Sequence, residues 1–229
     1  MKIGIPNRSS FLHTGATALC MRWGVLQRAE YHAARLYYSS GGVTVALARA
    51  ATLCELLEAG ELDLIFTGED YAAEHLVTSR RAFRVPLYEV RFALFQRTAG
   101  APVERVVTKF PRVAEQTLSK WDIACPRLEA VSGATETFCL LDPKAAAFDV
   151  ICTGITQRAN QLHVMRSGPP LGAAWYSAND RLPDALADVL SDAQLMSRVS
   201  AHYARYLSVR DEATRVDIAN VLDGPADGH

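Results

Sequence analysis

The sequence predicts an α/β fold of two lobes with a central cleft and largely parallel strands. Short apolar, β-rich runs alternate with stretches of helical periodicity. The 229 residues, 49% of them apolar, supply core enough for one large domain or two small lobes. No repeat, low-complexity segment or long linker interrupts the alternation.

Lys2–Ile5 is the first strand. With one cation and a proline, Met1-Lys2-Ile3-Gly4-Ile5-Pro6 reads as a strand rather than a signal peptide. Thr14–Trp23 has helical spacing and ends at Gly24. Val43–Ala48 is a strand, and Ala50–Ala59 a helix stopped by Gly60. Leu62–Phe66 is apolar apart from Asp63, turns at Thr67-Gly68, and leads into a short helix, Asp70–Val77. Phe83–Leu87 and Arg91–Gln96 read as two strands, followed by the loop Gly100-Ala101-Pro102. A second series begins with the strand Arg105–Thr108 and the helix Pro111–Trp121, which has proline in its first turn. Leu128–Val131 is a strand, Ala134–Leu141 a helix, and Phe148–Cys152 a strand that stops at Thr153-Gly154. From Leu182 to about Leu222 the pattern is helical, with Leu186, Val189, Leu190, Leu195, Val199, Tyr203 and Tyr206 on one face. The tail Asp223–His229 reads as disordered. Lobe I is assigned residues 1–97, completed by 175–229, and lobe II residues 98–174.

Composition narrows the function. The formal net charge of −1 gives no global field for nucleic acid or for a membrane surface. No apolar run reaches the roughly 20 residues of a membrane span. The five cysteines show no CxxC spacing and read as free thiols of a cytoplasmic protein. The scattered histidines argue against structural zinc.

Chemistry concentrates where strands end. Asp149-Val150-Ile151-Cys152-Thr153-Gly154-Ile155-Thr156 is an apolar strand ending in an acid, a Thr-Gly turn and a new helix. Such a turn aims backbone N–H groups and hydroxyls at one point, which suits a phosphate monoester, with the acid left for sugar hydroxyls or a metal. The same pattern also serves as a plain turn. Glu136 follows Ser132-Gly133-Ala134-Thr135; Ser132 or Thr135 is a candidate helix cap, and Glu136 either offsets the dipole or lines a site. Asp70, after Gly68, either caps a helix or holds a ribose. Arg8, Arg49 and Lys109 each follow a strand, as a polyanionic substrate requires.

In their order these segments resemble the catalytic region of ATP phosphoribosyltransferases, from Lys2 to about Leu162. Arg105–Pro111 resembles the family's "RVATKYP", and Gly133-Ala134-Thr135-Glu136 its "GSVE". Asp149–Leu162 resembles "DIVSTGTTLRENGL", and Gly60, Asp63, Thr67, Gly68, Asp70 and Glu74 fit "GxxDLGITGxDxxxE". The resemblance implies two lobes like type II periplasmic solute-binding proteins. It implies transfer of C1 of phosphoribosyl pyrophosphate (PRPP) to N1 of the adenine of ATP, with inversion, release of pyrophosphate and a need for Mg2+. Thr153, Gly154, Ile155 and Thr156 would hold the 5′-phosphate, and Asp149 would sit by the ribose hydroxyls. Arg49 would meet the pyrophosphate, and Glu136 would line the same place. Asn7, Arg8, Gly68, Asp70 and Lys109 would address nucleotide or pyrophosphate.

The chain departs from the family in its first loop, where "PNKGRL" becomes Pro6-Asn7-Arg8-Ser9-Ser10-Phe11. "DIP" after Arg49 becomes Thr52-Leu53-Cys54, "GFGxCR" keeps only Arg91, Ile155 replaces a polar residue, and Gln157 replaces leucine. The resemblance is to the short form, which implies a homodimer and a regulatory partner similar to a histidyl-tRNA synthetase. Other readings are the same chemistry on another adenine acceptor, as in biosynthesis of pentostatin- or coformycin-type nucleosides, and a non-catalytic binding protein of the same fold.

Overall fold

A computed structural model describes residues 1–32, 34–77, 80–124, 127–179 and 181–208. The chain divides into two compact units: Met1–Tyr88 with the residues from Gly172 on, and Glu89–Leu171.

Unit 1 is built on β1 (Lys2–Pro6), α1 (His13–Trp23), β2 (Tyr37–Ser40), β3 (Val43–Ala48), α2 (Ala50–Glu58), β4 (Leu64–Gly68) and α3 (Glu69–His75). β1 lies between β3 and β4 and is parallel to both, so Ile3 and Ile5 are fully buried. α1 stops where Gly24 takes a left-handed turn at φ 83°. Gly15 in α1 lets Tyr203 approach: a Cβ there would collide with the phenolic oxygen. α2 turns Leu53, Cys54 and Leu57 onto Leu62, Ile65 and Ala72.

The chain then enters β5 (Arg80–Gln96), a single strand where two were predicted. Residues 88–90 contain no Gly, Asn or Asp to reverse the chain, so the strand runs on. The passage from unit 1 to unit 2 falls inside this strand, after Tyr88, rather than at residue 97.

Unit 2 continues with β6 (Arg105–Thr108), α4 (Pro111–Lys120), β7 (Leu128–Ala130), α5 (Thr135–Leu141), β8 (Ala145–Ile151), α6 (Ile155–Ala159) and β9 (His163–Ser167). Its strand order is β9-β5-β8-β6-β7. β6, β7 and β8 are parallel, whereas β5 runs antiparallel to β8 and β9. Phe92 stacks on Phe148 at 5.3 Å and meets Phe110 edge-on at 5.2 Å.

β10 (Leu171–Ser177) brings the chain back to unit 1, antiparallel to β4, and completes the order β2-β3-β1-β4-β10. The expected largely parallel sheet is therefore mixed, because β2, β5, β9 and β10 run against their neighbours. α7 (Asp184–Ser191) and α8 (Ala193–Ser208) follow. The predicted continuous helical pattern breaks at Asp192, whose carboxylate accepts the Leu195 amide at 3.0 Å and starts α8 anew. Leu186, Leu190, Leu195, Val199 and Tyr203 are buried, so this apolar face is core of unit 1. The reading beyond residue 208 lies outside the described residues, as does Cys125. Cys20, Cys54, Cys139 and Cys152 are free thiols, and burial pushes the first three up to about 12. Among the described residues no helix is long and apolar enough to cross a membrane.

Candidate active site

Parallel strands deliver their carboxyl ends to one edge of a sheet, and the loops there form sites. In unit 2 that edge collects Lys109 after β6, residues 131–135 after β7 and the Thr153-Gly154 turn after β8. The register pairs Thr108 with Phe148, which sets Lys109 beside Asp149. The Lys109 ammonium lies 3.2 Å from Asp149 Oδ1. The Thr135 hydroxyl donates to Asp149 Oδ2 at 2.8 Å, and the Val150 amide donates to Oδ1 at 2.7 Å. Asp149 is 5% exposed, so these donors replace the water it has lost.

Neither Ser132 nor Thr135 caps α5 by its side chain, contrary to expectation. Gly133 at φ 154° and Ala134 at φ 54° make the turn instead, which frees the Thr135 hydroxyl for Asp149. Thr135 Oγ1 also lies 3.4 Å from Glu136 Oε2, while its one proton serves the shorter bond to Asp149. The buried amide of Gln157 donates to Glu136 Oε1 at 3.5 Å. A polar chain thus runs Lys109–Asp149–Thr135–Glu136–Gln157, joining the loop after β6 to β8, α5 and α6.

The Thr153–Thr156 turn rests on Gly154, left-handed at φ 70° at the start of α6. Arg158 reaches back to donate to the Thr153 carbonyl at 2.8 Å, and Asn160 donates to that of Thr156 at 2.9 Å. The Thr153 hydroxyl accepts the Ile155 amide at 3.4 Å. Arg158, Gln157 and Thr135 were not singled out as site residues from sequence. Their contacts depend on folding, although Arg158 and Asn160 do stand in the matching motif. Arg105, which opens its motif, serves the other end of β6, bonding Asp142 at 3.0 Å and Glu129 at 3.2 Å.

In unit 1 the strand ends gather a second set. Pro6 pairs with Ala48, and the Asn7 amide donates to the Ala48 carbonyl at 2.9 Å, so Asn7, Arg8 and Arg49 leave one sheet edge together. Gly68 and Asp70 follow β4, which is parallel to β1 and ends at that edge. Arg8 and Arg49 are exposed, and Asp70 is buried. Asp70 does not cap α3: Gly68 holds the cap position, with no side-chain bond. Asn7 Oδ1 accepts the Ser9 hydroxyl at 2.6 Å, folding the first loop on itself.

His13 braces that loop from below. The Pro6 carbonyl only accepts, so Nδ1 carries the proton, at 2.8 Å, and neutral Nε2 accepts the Tyr31 hydroxyl at 2.6 Å. Burial, offset in part by the Pro6 bond, holds His13 below the ordinary 6.5, and burial does the same to His202. The unfolded chain then takes up more protons than the folded one as pH falls below 6.5. The stability in question is present above that value and is lost as pH drops towards the lowered folded values. The thermal midpoint should fall between about pH 7 and about pH 5.5, and fall less in His13→Asn. A midpoint flat over that window would contradict this account.

The family model described as HisG, ATP phosphoribosyltransferase, matches residues 49–168. An ATP phosphoribosyltransferase of Halobacterium salinarum is 29% identical over 98% of this chain and 82% of its own length. That of Halorubrum lacusprofundi is 26% identical over 98% and 81%. Among solved structures, an ATP phosphoribosyl transferase (HisG:HisZ) complex from Thermotoga maritima aligns with TM-score 0.69 and 19% identity, covering 88% of this chain and 99% of that one. The arginine-, lysine-, histidine-binding protein ArtJ from Geobacillus stearothermophilus aligns with TM-score 0.56 and 9% identity over 96% and 98%, a likeness of fold.

Proposed function

The chain belongs to the ATP phosphoribosyltransferase family, and we propose that it joins N1 of the adenine of ATP to C1 of PRPP, with inversion and release of pyrophosphate. The observation that carries the reading is the Lys109–Asp149–Thr135 cluster beside the glycine turn of Thr153–Thr156.

Thr153, Gly154, Ile155 and Thr156 present hydroxyls and backbone donors to the 5′-phosphate of PRPP. Asp149 addresses the ribose hydroxyls and favours the positive charge that develops on the sugar as pyrophosphate departs. In unit 2, Lys109 supplies charge to the leaving pyrophosphate; in unit 1, Arg8, Arg49 and Asn7 are a separate set for pyrophosphate or nucleotide, and the Gly68–Asp70 turn addresses the nucleotide. Adenine N1 carries its own lone pair, so the protein orients it rather than deprotonating it.

The described residues hold no group of three or more His, Cys, Asp or Glu that could cage a metal. Mg2+ is commonly held by one or two carboxylates together with substrate phosphates. Glu136, half-buried, with the Gln157 amide at 3.5 Å and Thr135 Oγ1 at 3.4 Å, would be the protein's ligand, and the ion would neutralise charge on the departing pyrophosphate. A homodimer, a cytoplasmic setting and a regulatory partner resembling a histidyl-tRNA synthetase complete the reading, the partner supported by the likeness to the HisG:HisZ complex.

The test is mass spectrometry after incubation with PRPP, Mg2+ and, in turn, ATP, AMP, adenosine and adenine. A phosphoribosyl adduct of ATP with pyrophosphate release is expected. An adduct with another acceptor only would replace ATP in this reading, and failure to bind PRPP would overturn it.

A further inference from the structure

Glu69 stands one residue past the Gly68 turn, at a position the family pattern leaves open. It is 8% exposed. A single oxygen, Oε2, accepts the Gly172 amide at 2.7 Å and Arg84 Nε at 3.1 Å. These donors come from the two strands that carry the chain between units: Arg84 lies in β5 before the exit after Tyr88, and Gly172 is the residue of re-entry.

The ladder geometry explains the bond. β10 pairs with β4 as far as Ala173 opposite Gly68, after which the β4 backbone winds into α3. The next amide on β10 would lose its backbone acceptor, and the Glu69 side chain takes its place. Because that oxygen also binds Arg84, β5 and β10 are tied to the residue lying between Gly68 and Asp70.

We infer that Glu69 is a positioning residue: it fixes the Gly68–Asp70 turn against β5 and β10 and so sets the placement of that turn, the part of the unit 1 edge that addresses the nucleotide. The inference rests on the reading of that edge given under Proposed function. A carboxylate that only stabilised the fold would change the amount of active protein. One that positions the turn changes how tightly one substrate is held.

Steady-state kinetics of Glu69→Ala with ATP and PRPP varied separately decides between them. The KM for ATP should rise about tenfold, the loss of hydrogen bonds to a charged acceptor, while kcat and the KM for PRPP stay near wild type. Glu69→Gln, which keeps an oxygen able to reach both donors, should restore most of the ATP affinity. If the alanine variant does not fold, Glu69→Asp, one methylene short of both donors, should show the same selective rise. An unchanged ATP KM, or an equal rise for both substrates, overturns the inference and leaves the activity standing. Wild-type protein without turnover on ATP and PRPP would remove the reading and the inference together.

Discussion

Gly154→Val is expected to raise the KM for PRPP by about one to two orders of magnitude while leaving the fold intact. The native residue sits at φ 70°, where an L side chain costs about 1–2 kcal/mol and a β-branched one more. A Cβ there would come within 3.0 Å of Arg158 Nη1, the group that bonds the Thr153 carbonyl. Valine therefore strains the turn and pushes away its clamp at once. The backbone donors after Gly154 lose their common aim, and a phosphate monoester loses its seat. Gly154→Ala, with the strain but less bulk, should fall between wild type and valine. The strain should also lower the thermal midpoint by several degrees, so the constant is read well below the melting range. An unchanged PRPP constant in the valine variant would remove the phosphate role from Thr153–Thr156.

The glycine between a strand and a helix is plain in the sequence, whereas its φ of 70° and the Arg158 clamp come only with the fold. Elements bounded by marked residues were equally plain: Val43–Ala48 and Arg105–Thr108 are strands from end to end. β10 was not, because Gly172-Ala173-Ala174 has low strand preference and is a strand through its burial and its pairing with β4. β2 and β9 are equally hidden in the sequence: both lie at sheet edges, and β9 is exposed throughout, without the alternation of a half-buried strand. The same division runs through the site. Asp149 and Lys109 stand out at strand ends, but Thr135 meets Asp149 only because β8 and α5 pack together. Thr135 itself reads as a helix cap until the turn at Gly133 and Ala134 is known. Arg8 and Arg49 lie 41 positions apart in sequence and reach one sheet edge through the register of Pro6 with Ala48, which no local pattern encodes.

Asp149→Asn is expected to lower kcat by about 100-fold or more and to lower the thermal midpoint by several degrees. Two separate consequences follow from one substitution. The carboxylate accepts from Lys109, Thr135 and the Val150 amide, and an amide offers one acceptor oxygen with an NH2 facing a donor. Removing one member of a buried ion pair costs about 3–5 kcal/mol, but the Lys109 side chain is 28% exposed and keeps access to water, so about 1–3 kcal/mol is expected. The kinetic loss has another origin: the negative charge that favours positive charge on the ribose is gone, and Lys109 no longer has it as a partner. The two effects separate experimentally, since kcat per active molecule is read well below the melting range. A lower midpoint with wild-type kcat would make Asp149 a brace for Lys109 and Thr135 and nothing more. A lost kcat at an unchanged midpoint would make it a substrate contact whose ion pair adds no net stability. Loss of both is the outcome that a 5% exposed carboxylate with three donors, near the end of the strand that leads into the Thr153-Gly154 turn, should give.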